Sequence, residues 1–292
     1  MPVSMIERAV FSYFNPDENY GNTSGFKTFG DFLFTMALAA LTASRHFKEV
    51  QMVSSDWGIN IFQKIGLPIT EYSNKLNEMK GISKYWWARG KMMAYEMQEV
   101  PFVHIDNDVF LWKPLSKRLL EAELCFQSKE YHNLPGYGYY TLLKNTTWNK
   151  ATVRPQIIVD NEITDYCYNC GICGGHNLEF FKEWLQVSAD YIFAPENNKL
   201  FFVTRKDVLI HQNLFHEQYF AASLVKAHGL RDKVEVIADH ITDIVQVTDK
   251  GYTHLWGTTK RDDPMMRRVR LRLQKEDASL FERVSKFVKD AK

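Results

Sequence analysis

The chain has 292 residues, 45% hydrophobic and 14% aromatic, enough to bury a full core as one large domain or two closely joined ones. Lysine and arginine number 36 against 35 aspartates and glutamates, a formal charge of +1, so no global field marks a nucleic-acid binder and charge-driven recognition is local. The opening MPVSMIERAVFSYF lacks a basic region followed by an apolar run, and the longest apolar stretch, FLFTMALAAL at 32–41, is too short to span a bilayer; both predict a cytoplasmic protein with reduced cysteines.

The first half alternates strand and helix signals. RAVFSYF (8–14) predicts a buried strand, followed by a polar, Gly-rich loop and the apolar helix DFLFTMALAALTASRHF. EVQMVSSD (49–56) is a second strand, and GINIFQKIGLP a short helix closed by Gly66 and Pro68. Ser83 is placed to cap the helix KYWWARGKMMAYEMQ, and PFVHI (101–105) is an apolar strand introduced by proline. This βαβαβ rhythm predicts an α/β fold with a parallel sheet covered by helices and ligands at the carboxyl ends of its strands.

The second half is less regular. ELCFQSKEYHNLPGYGYYTLLKNTTW reads as a strand and a long loop whose YHNLPGYGYY stretch suits a carbohydrate acceptor, because sugar rings stack on aromatic faces. QIIVDNEIT and YCYNCGICGG read as extended runs, and NLEFFKEWLQVSADYIFA and NLFHEQYFAASLVKAHG as helices, the latter ending at Gly229. KVEVIAD and GYTHLWG are late strands. From Pro264 the chain is helical and charged; RRVRLRLQK (267–275) predicts a solvated closing helix, with contact to an acidic membrane surface as the alternative.

Three of the four cysteines follow the spacing Cys167-x-x-Cys170-x-x-Cys173. Thiolates every third residue suit a zinc or iron–sulfur site, but four ligands are needed, and Cys125 lies some forty residues upstream. His132 and His176 are the substitutes if zinc is the metal.

VPFVHIDNDVFLWKPL (100–115) carries more chemistry. An apolar strand delivers Asp106 and Asp108 two residues apart, pointing to the same side of an extended chain. Two such carboxylates suit a magnesium or manganese ion bridging to a phosphate; the competing reading is a turn in which Asp106 or Asn107 caps the backbone. THLWGTTKR (253–261) adds an imidazole at His254 to complete a manganese site, Gly257 for close approach to a diphosphate, and Lys260 to neutralise charge developing there.

FVHIDNDVFLWKPL resembles the Asp-x-Asp segment of GT-A-fold glycosyltransferases. NCGICGG (169–175) resembles the Asn-x-Gly turn of the glycogenin-like and lipopolysaccharide-galactosyltransferase-like branch, HEQYFAA (216–222) resembles its Asp-Gln segment with Glu217 in place of Asp, and THLWGTTKR matches its His-x-x-Gly-x-x-Lys element. An uncharacterised bacterial group of the same superfamily fits as well. The family's lysine is followed by Pro-Trp, whereas Arg261 and Asp262 follow Lys260 here.

The resemblance implies a single GT-A domain over 1–262, with a nucleotide-sugar half (1–115) and an acceptor half (116–262), followed by a charged helical tail (263–292). It implies metal-dependent, retaining transfer from a nucleotide diphosphate sugar, a UDP-sugar first, to a glycan acceptor. The implied cofactor is Mn2+ or Mg2+ on Asp106, Asp108 and His254. Tyr13, Phe14, Asp56, Lys91 and Asp106 would hold the nucleotide end, Asn169 and Gly171 would line the sugar site, and Gly257 and Lys260 would meet the diphosphate. Glu217, Gln218 and Lys260 take the catalytic positions; an inverting enzyme would instead use Glu162, Glu217 or Asp243 as base. The rival classes are a non-catalytic sugar- or nucleotide-binding protein of this fold and a cysteine-based metal module. The protein is expected in the cytoplasm, with the inner face of the membrane as the surface its basic helix would meet, and without nucleic-acid partners.

Overall fold

Apolar strands alternating with capped helices build an α/β architecture. The computed structural model describes residues 4–134, 139–203, 211–241 and 248–291. In chain order the first elements are β1 (Arg8–Tyr13), α1 (Phe29–Ala43), β2 (Glu49–Ser54), α2 (Asp56–Ile65), β3 (Glu71–Ser73) and α3 (Trp87–Glu96). Then follow β4 (Phe102–Ile105), β5 (Val109–Leu111), α4 (Lys117–Leu120), β6 (Leu124–Tyr131), α5 (Tyr139–Thr146), α6 (Gln156–Asp160) and β7 (Tyr166–Gly175). The last are α7 (Leu178–Ile192), α8 (Asn198–Val203), α9 (Phe220–Ala227), β8 (Val234–His240), β9 (Tyr252–His254), α10 (Asp263–Glu276) and α11 (Ala278–Asp290). Two compact units interleave along the sequence.

The unit made of Glu7–Lys84, Phe102–Ser116 and Thr242–Lys292 contains parallel strands in the order β3-β2-β1-β4, with Arg8 opposite both Glu49 and Phe102. β1 and β2 are buried at every position but the first and β4 throughout, as expected for a parallel sheet covered on both faces. The chain steps outward from β1 to β3 and returns beside β1 as β4. The carboxyl ends of β1 and β4 therefore flank a topological switch point, where open α/β sheets bind ligands.

α1 starts where Thr28 accepts a hydrogen bond from the Asp31 amide, and every residue of it except Leu41 is buried. α10 and α11 pack on it through Met266, Val269, Leu273, Leu280 and Val284. At Gly30 a Cβ would come within 2.8 Å of Val288. The charged tail is thus two helices with a buried apolar side, while Arg267, Arg268 and Lys275 stay exposed. α2 ends as expected at Gly66, in the left-handed conformation with φ 65°. The Arg283 guanidinium donates to the Ile65 and Gly66 carbonyls there.

The other unit, Met1–Ile6, Tyr85–Pro101 and Lys117–Ile241, holds β7-β6-β8, with β6 antiparallel to β7 and parallel to β8. Four of the five pairings described in these two sets of strands are parallel, so the expected mostly parallel sheet is present. Several local expectations are corrected. QIIVDNEIT is not extended: Pro155, with φ −57°, sits at the N-cap and Gln156–Asp160 turns into α6, because proline's fixed φ favours helix entry. The long loop after β6 contains α5, and residues 135–138 of the aromatic stretch lie outside the described residues. Ser83 is not the N-cap of α3; a 3-10 turn at Lys84–Trp86 intervenes and Trp86 occupies the cap position.

Candidate functional site

β4 ends in a turn closed by the Val109 amide on the Asp106 carbonyl at 3.0 Å, and the chain then runs on as β5. β5 and β9 pair antiparallel with Val109 opposite His254, and the Leu255 amide donates to the Asp108 carbonyl at 3.0 Å. This two-stranded ribbon carries His254 to the acidic turn. One ligand atom each from Asp106, Asp108 and His254 lies within 4.8 Å of the others. His254 Nε2 is 3.5 Å from Asp108 Oδ1, and Lys260 Nζ is 2.6 Å from Asp108 Oδ2. Asp108 is 2% and His254 6% exposed. Asn107 donates to the Ser12 carbonyl at 2.8 Å, tying the turn to β1. Below it His104 contacts the Ser12 hydroxyl at 2.9 Å and approaches Asp106 at 3.9 Å. A buried carboxylate needs positive charge beside it, which the Lys260 ammonium supplies here. Two carboxylates and an imidazole fit a divalent cation.

Lys260 reaches Asp108 from a 3-10 turn at Gly257–Arg261. Gly257 enters it with φ 58°, a conformation that an L side chain strains. The segment packs on the loop after β1: Lys260 lies over the Phe26 ring at 5.5 Å, Arg261 donates to the Gly25 carbonyl at 3.2 Å, and Lys27 pairs with Asp263 at 2.7 Å.

At the carboxyl ends of β1 and β2 a cavity of about 410 Å³ is lined by residues including Phe14, Asn15, Ser55, Asp56, Trp57 and Asn77. Amide donors from Asn74 (2.9 Å) and Asn77 (2.6 Å) hold the Asp56 carboxyl below its ordinary range. Phe14 and Asp56 therefore share one wall. Tyr13 is buried behind it, stacked on Phe32 at 4.7 Å, with its hydroxyl accepting from Asn15 at 3.1 Å.

A second cluster sits within the other unit. The helix that ends at α9 is underwound into a π segment at Phe215–Tyr219, which holds Glu217 and Gln218; such segments often mark functional positions. Glu217, 1% exposed, meets Lys91 Nζ at 2.6 Å, and that ammonium also donates to the Cys170 carbonyl at 3.2 Å. Gln218 contacts the Tyr140 hydroxyl, which also donates to Glu130 at 2.9 Å. Asn169 donates to the other Glu130 oxygen at 2.6 Å and accepts from the Gly171 amide at 2.9 Å. The Asn-x-Gly stretch is a bulge inside β7 rather than a turn at a strand end: opposite β6 the register jumps from Cys173 to Asn169 between Phe126 and Ser128. The turn at the strand end belongs to Gly175, where a Cβ would come within 2.1 Å of the Glu123 carbonyl oxygen.

Sequence reasoning missed His104, Ser12 and Glu130. The available signal was polarity on an inward face, because Ser128 and Glu130 alternate with outward-facing Lys129 and Tyr131 along β6.

All four cysteines are free and buried. Burial pushes the Cys125, Cys167 and Cys170 thiols up, away from the thiolate a metal requires. Among the described residues, the one His, Cys, Asp and Glu group of three close enough to hold an ion is Asp106, Asp108 and His254. Burial would raise the Glu162 carboxyl, but donors from Lys144 and Trp148 outweigh it and hold the group low. Asp243 lies outside the described residues.

The chain belongs to the family of unknown function DUF6734, whose model matches residues 8–287. No curated protein matches it. Solved structures similar to it include the galactosyltransferase LgtC in complex with donor and acceptor sugar analogs, at 14% identity and a TM-score of 0.35, over 71% of this chain and 70% of that one. Mouse xyloside xylosyltransferase 1 is similar at 10% identity and a TM-score of 0.36, over 78% and 84%. The glycosyltransferase GlyE of Streptococcus pneumoniae TIGR4 is similar at 13% identity and a TM-score of 0.38, over 97% of this chain and 64% of that one. At these scores the likenesses assign no activity, which rests on the chain's own residues.

Proposed function

We propose that the protein is a metal-dependent glycosyltransferase of GT-A type. It would move a sugar from a nucleoside diphosphate sugar, with a UDP-sugar as first candidate, to a carbohydrate acceptor with retention at the anomeric carbon. The observation that carries this reading is the convergence of Asp106, Asp108 and His254, with Lys260 beside them, at the switch point of a parallel sheet. When bound there, Mn2+ or Mg2+ would supply Lewis-acid neutralisation of the diphosphate leaving group. The chain's own residues do the remainder. Asp106, Asp108 and His254 hold the ion, and Asp106 also reaches ribose or sugar hydroxyls. Lys260 exchanges Asp108 for the diphosphate and neutralises its charge, and Gly257 admits the phosphates to the backbone. Phe14 and Asp56 receive the nucleoside in their shared cavity, with Tyr13 supporting that wall. Asn169, Gly171, Glu217 and Gln218 orient the sugar, with Lys91 compensating Glu217. The exposed Arg267, Arg268 and Lys275 of α10 are the face that would meet an anionic membrane surface on the cytoplasmic side.

The test is incubation of purified protein with Mn2+ and a panel of nucleotide sugars, following nucleotide release. Release that needs metal and falls about a hundredfold or more in Asp108→Ala is expected. Release from none of them, together with no nucleotide binding in either protein, would overturn the reading.

A further inference from the structure

Glu130 and Tyr140, buried behind Asn169 and Gln218, have no part in the chemistry above. Glu130 is 6% and Tyr140 2% exposed, and the two are joined by the 2.9 Å contact from the Tyr140 hydroxyl to Glu130 Oε2. The same hydroxyl touches Oε1 of Gln218, and Glu130 Oε1 accepts from Asn169 at 2.6 Å. A hydroxyl carries one hydrogen and cannot donate to both the carboxylate and an amide oxygen. Glu130 as a carboxylate is the stronger acceptor and takes it, so Gln218 must turn its amide and donate N–H to the Tyr140 oxygen. Its carbonyl oxygen then faces the other way. On the opposite arm, the amide oxygen of Asn169 accepts from Gly171 at 2.9 Å while its nitrogen serves Glu130, so neither end of that amide can exchange.

We propose that Glu130 is a positioning residue, its charge setting the orientation of two amides at once: Asn169 directly and Gln218 through Tyr140. This inference rests on the glycosyltransferase reading, in which those amides orient the donor sugar. Glu130 itself touches neither sugar nor nucleotide. Its influence is therefore confined to the sugar end of the donor.

Calorimetry with Mn2+ compares UDP against UDP-glucose and UDP-galactose on the parent, Glu130→Gln, Glu130→Asp and Tyr140→Phe. The parent should bind UDP and at least one UDP-sugar. Glu130→Gln keeps the shape but adds a donor, and should lose roughly tenfold in UDP-sugar affinity while UDP binding stays within about twofold. Tyr140→Phe breaks the Gln218 arm alone and should give a smaller loss of the same kind; it also serves if Glu130→Gln does not fold. Glu130→Asp, which keeps the charge, should recover part of the loss. A parent that binds none of the three ligands overturns the functional reading and this role with it. A parent that binds, with Glu130→Gln or Tyr140→Phe indistinguishable from it or losing UDP and UDP-sugar equally, overturns the positioning role alone.

Discussion

Two buried carboxylates each meet a lysine ammonium at 2.6 Å, and the pairs differ in everything else. Lys260 is 25% exposed and comes from a short turn after a glycine, to an Asp108 that has Asp106 and His254 at hand as alternative company for a cation. Lys91 is 9% exposed and comes from the middle of α3, to a Glu217 wound into the π segment. In the proposed reaction the first ammonium would leave as a better cation and a phosphate arrive. The second cannot leave without stranding a charge away from water. One pair reads as an exchangeable contact and the other as a fixed strut, although distance alone does not tell them apart.

The sharpest way to break that contrast is a double-mutant cycle at the fixed pair. Lys91→Met or Glu217→Gln alone should cost about 3–5 kcal/mol in urea denaturation, and the double variant should recover much of the loss, because the penalty is the unpaired buried charge. Additive losses would show that the pair is not a strut. The neighbouring His216 offers a milder probe. Burial, with Arg89 adding to it, lowers its imidazole from 6.5 to about 3. The native state thus stays neutral while the unfolded chain takes up a proton, so this stability is complete above about pH 6.5 and is lost as the pH falls from there towards 3. The expected slope is up to about 1.4 kcal/mol per pH unit, and it should be absent in His216→Gln. The smallest effect on stability belongs to the exchangeable pair. Lys260→Met should cost about 1–2 kcal/mol in urea denaturation, less than Lys91→Met because Lys260 is 25% exposed and His254 stays 3.5 Å from Asp108, and Mn2+ titrated without nucleotide should bind several-fold tighter once the ammonium no longer competes. A variant that loses several kcal/mol would place Lys260 with Lys91.

The sequence displays the two clusters unequally. Asp106, Asp108, His254, Gly257 and Lys260 are legible because the chemistry demands particular residue types at fixed short spacings, and a strand or a turn maintains those spacings. The cap at Gly66 and the apolar strands 8–14 and 49–56 are legible for the same local reason. Glu130 has no such spacing, since its partners Asn169, Tyr140 and Gln218 are distant in sequence and become neighbours only through the pairing of β6 with β7 and the packing of α5. α6 was hidden because Ile157, Ile158 and Val159 are β-branched and read as a strand, whereas Pro155 and the burial of Ile158 decide for helix. β3 is three residues long, too short for any period to show. The π segment at 215–219 has no composition of its own, so the sequence marks its helix and not its underwinding.

The β5–β9 ribbon has a bearing on biosynthesis. The bond between the Trp112 indole and the Thr253 hydroxyl closes 141 residues of chain, and Asp108 meets His254 and Lys260 across a similar stretch. Bringing such distant partners together is entropically slow. A ribosome must deliver the chain as far as residue 260 before the acidic turn has its histidine and its lysine. A nascent chain halted between β5 and β9 carries two bare aspartates, and a premature stop between residues 112 and 254 removes His254 from the Asp106–Asp108–His254 group while leaving the β1 to β4 segments in the chain.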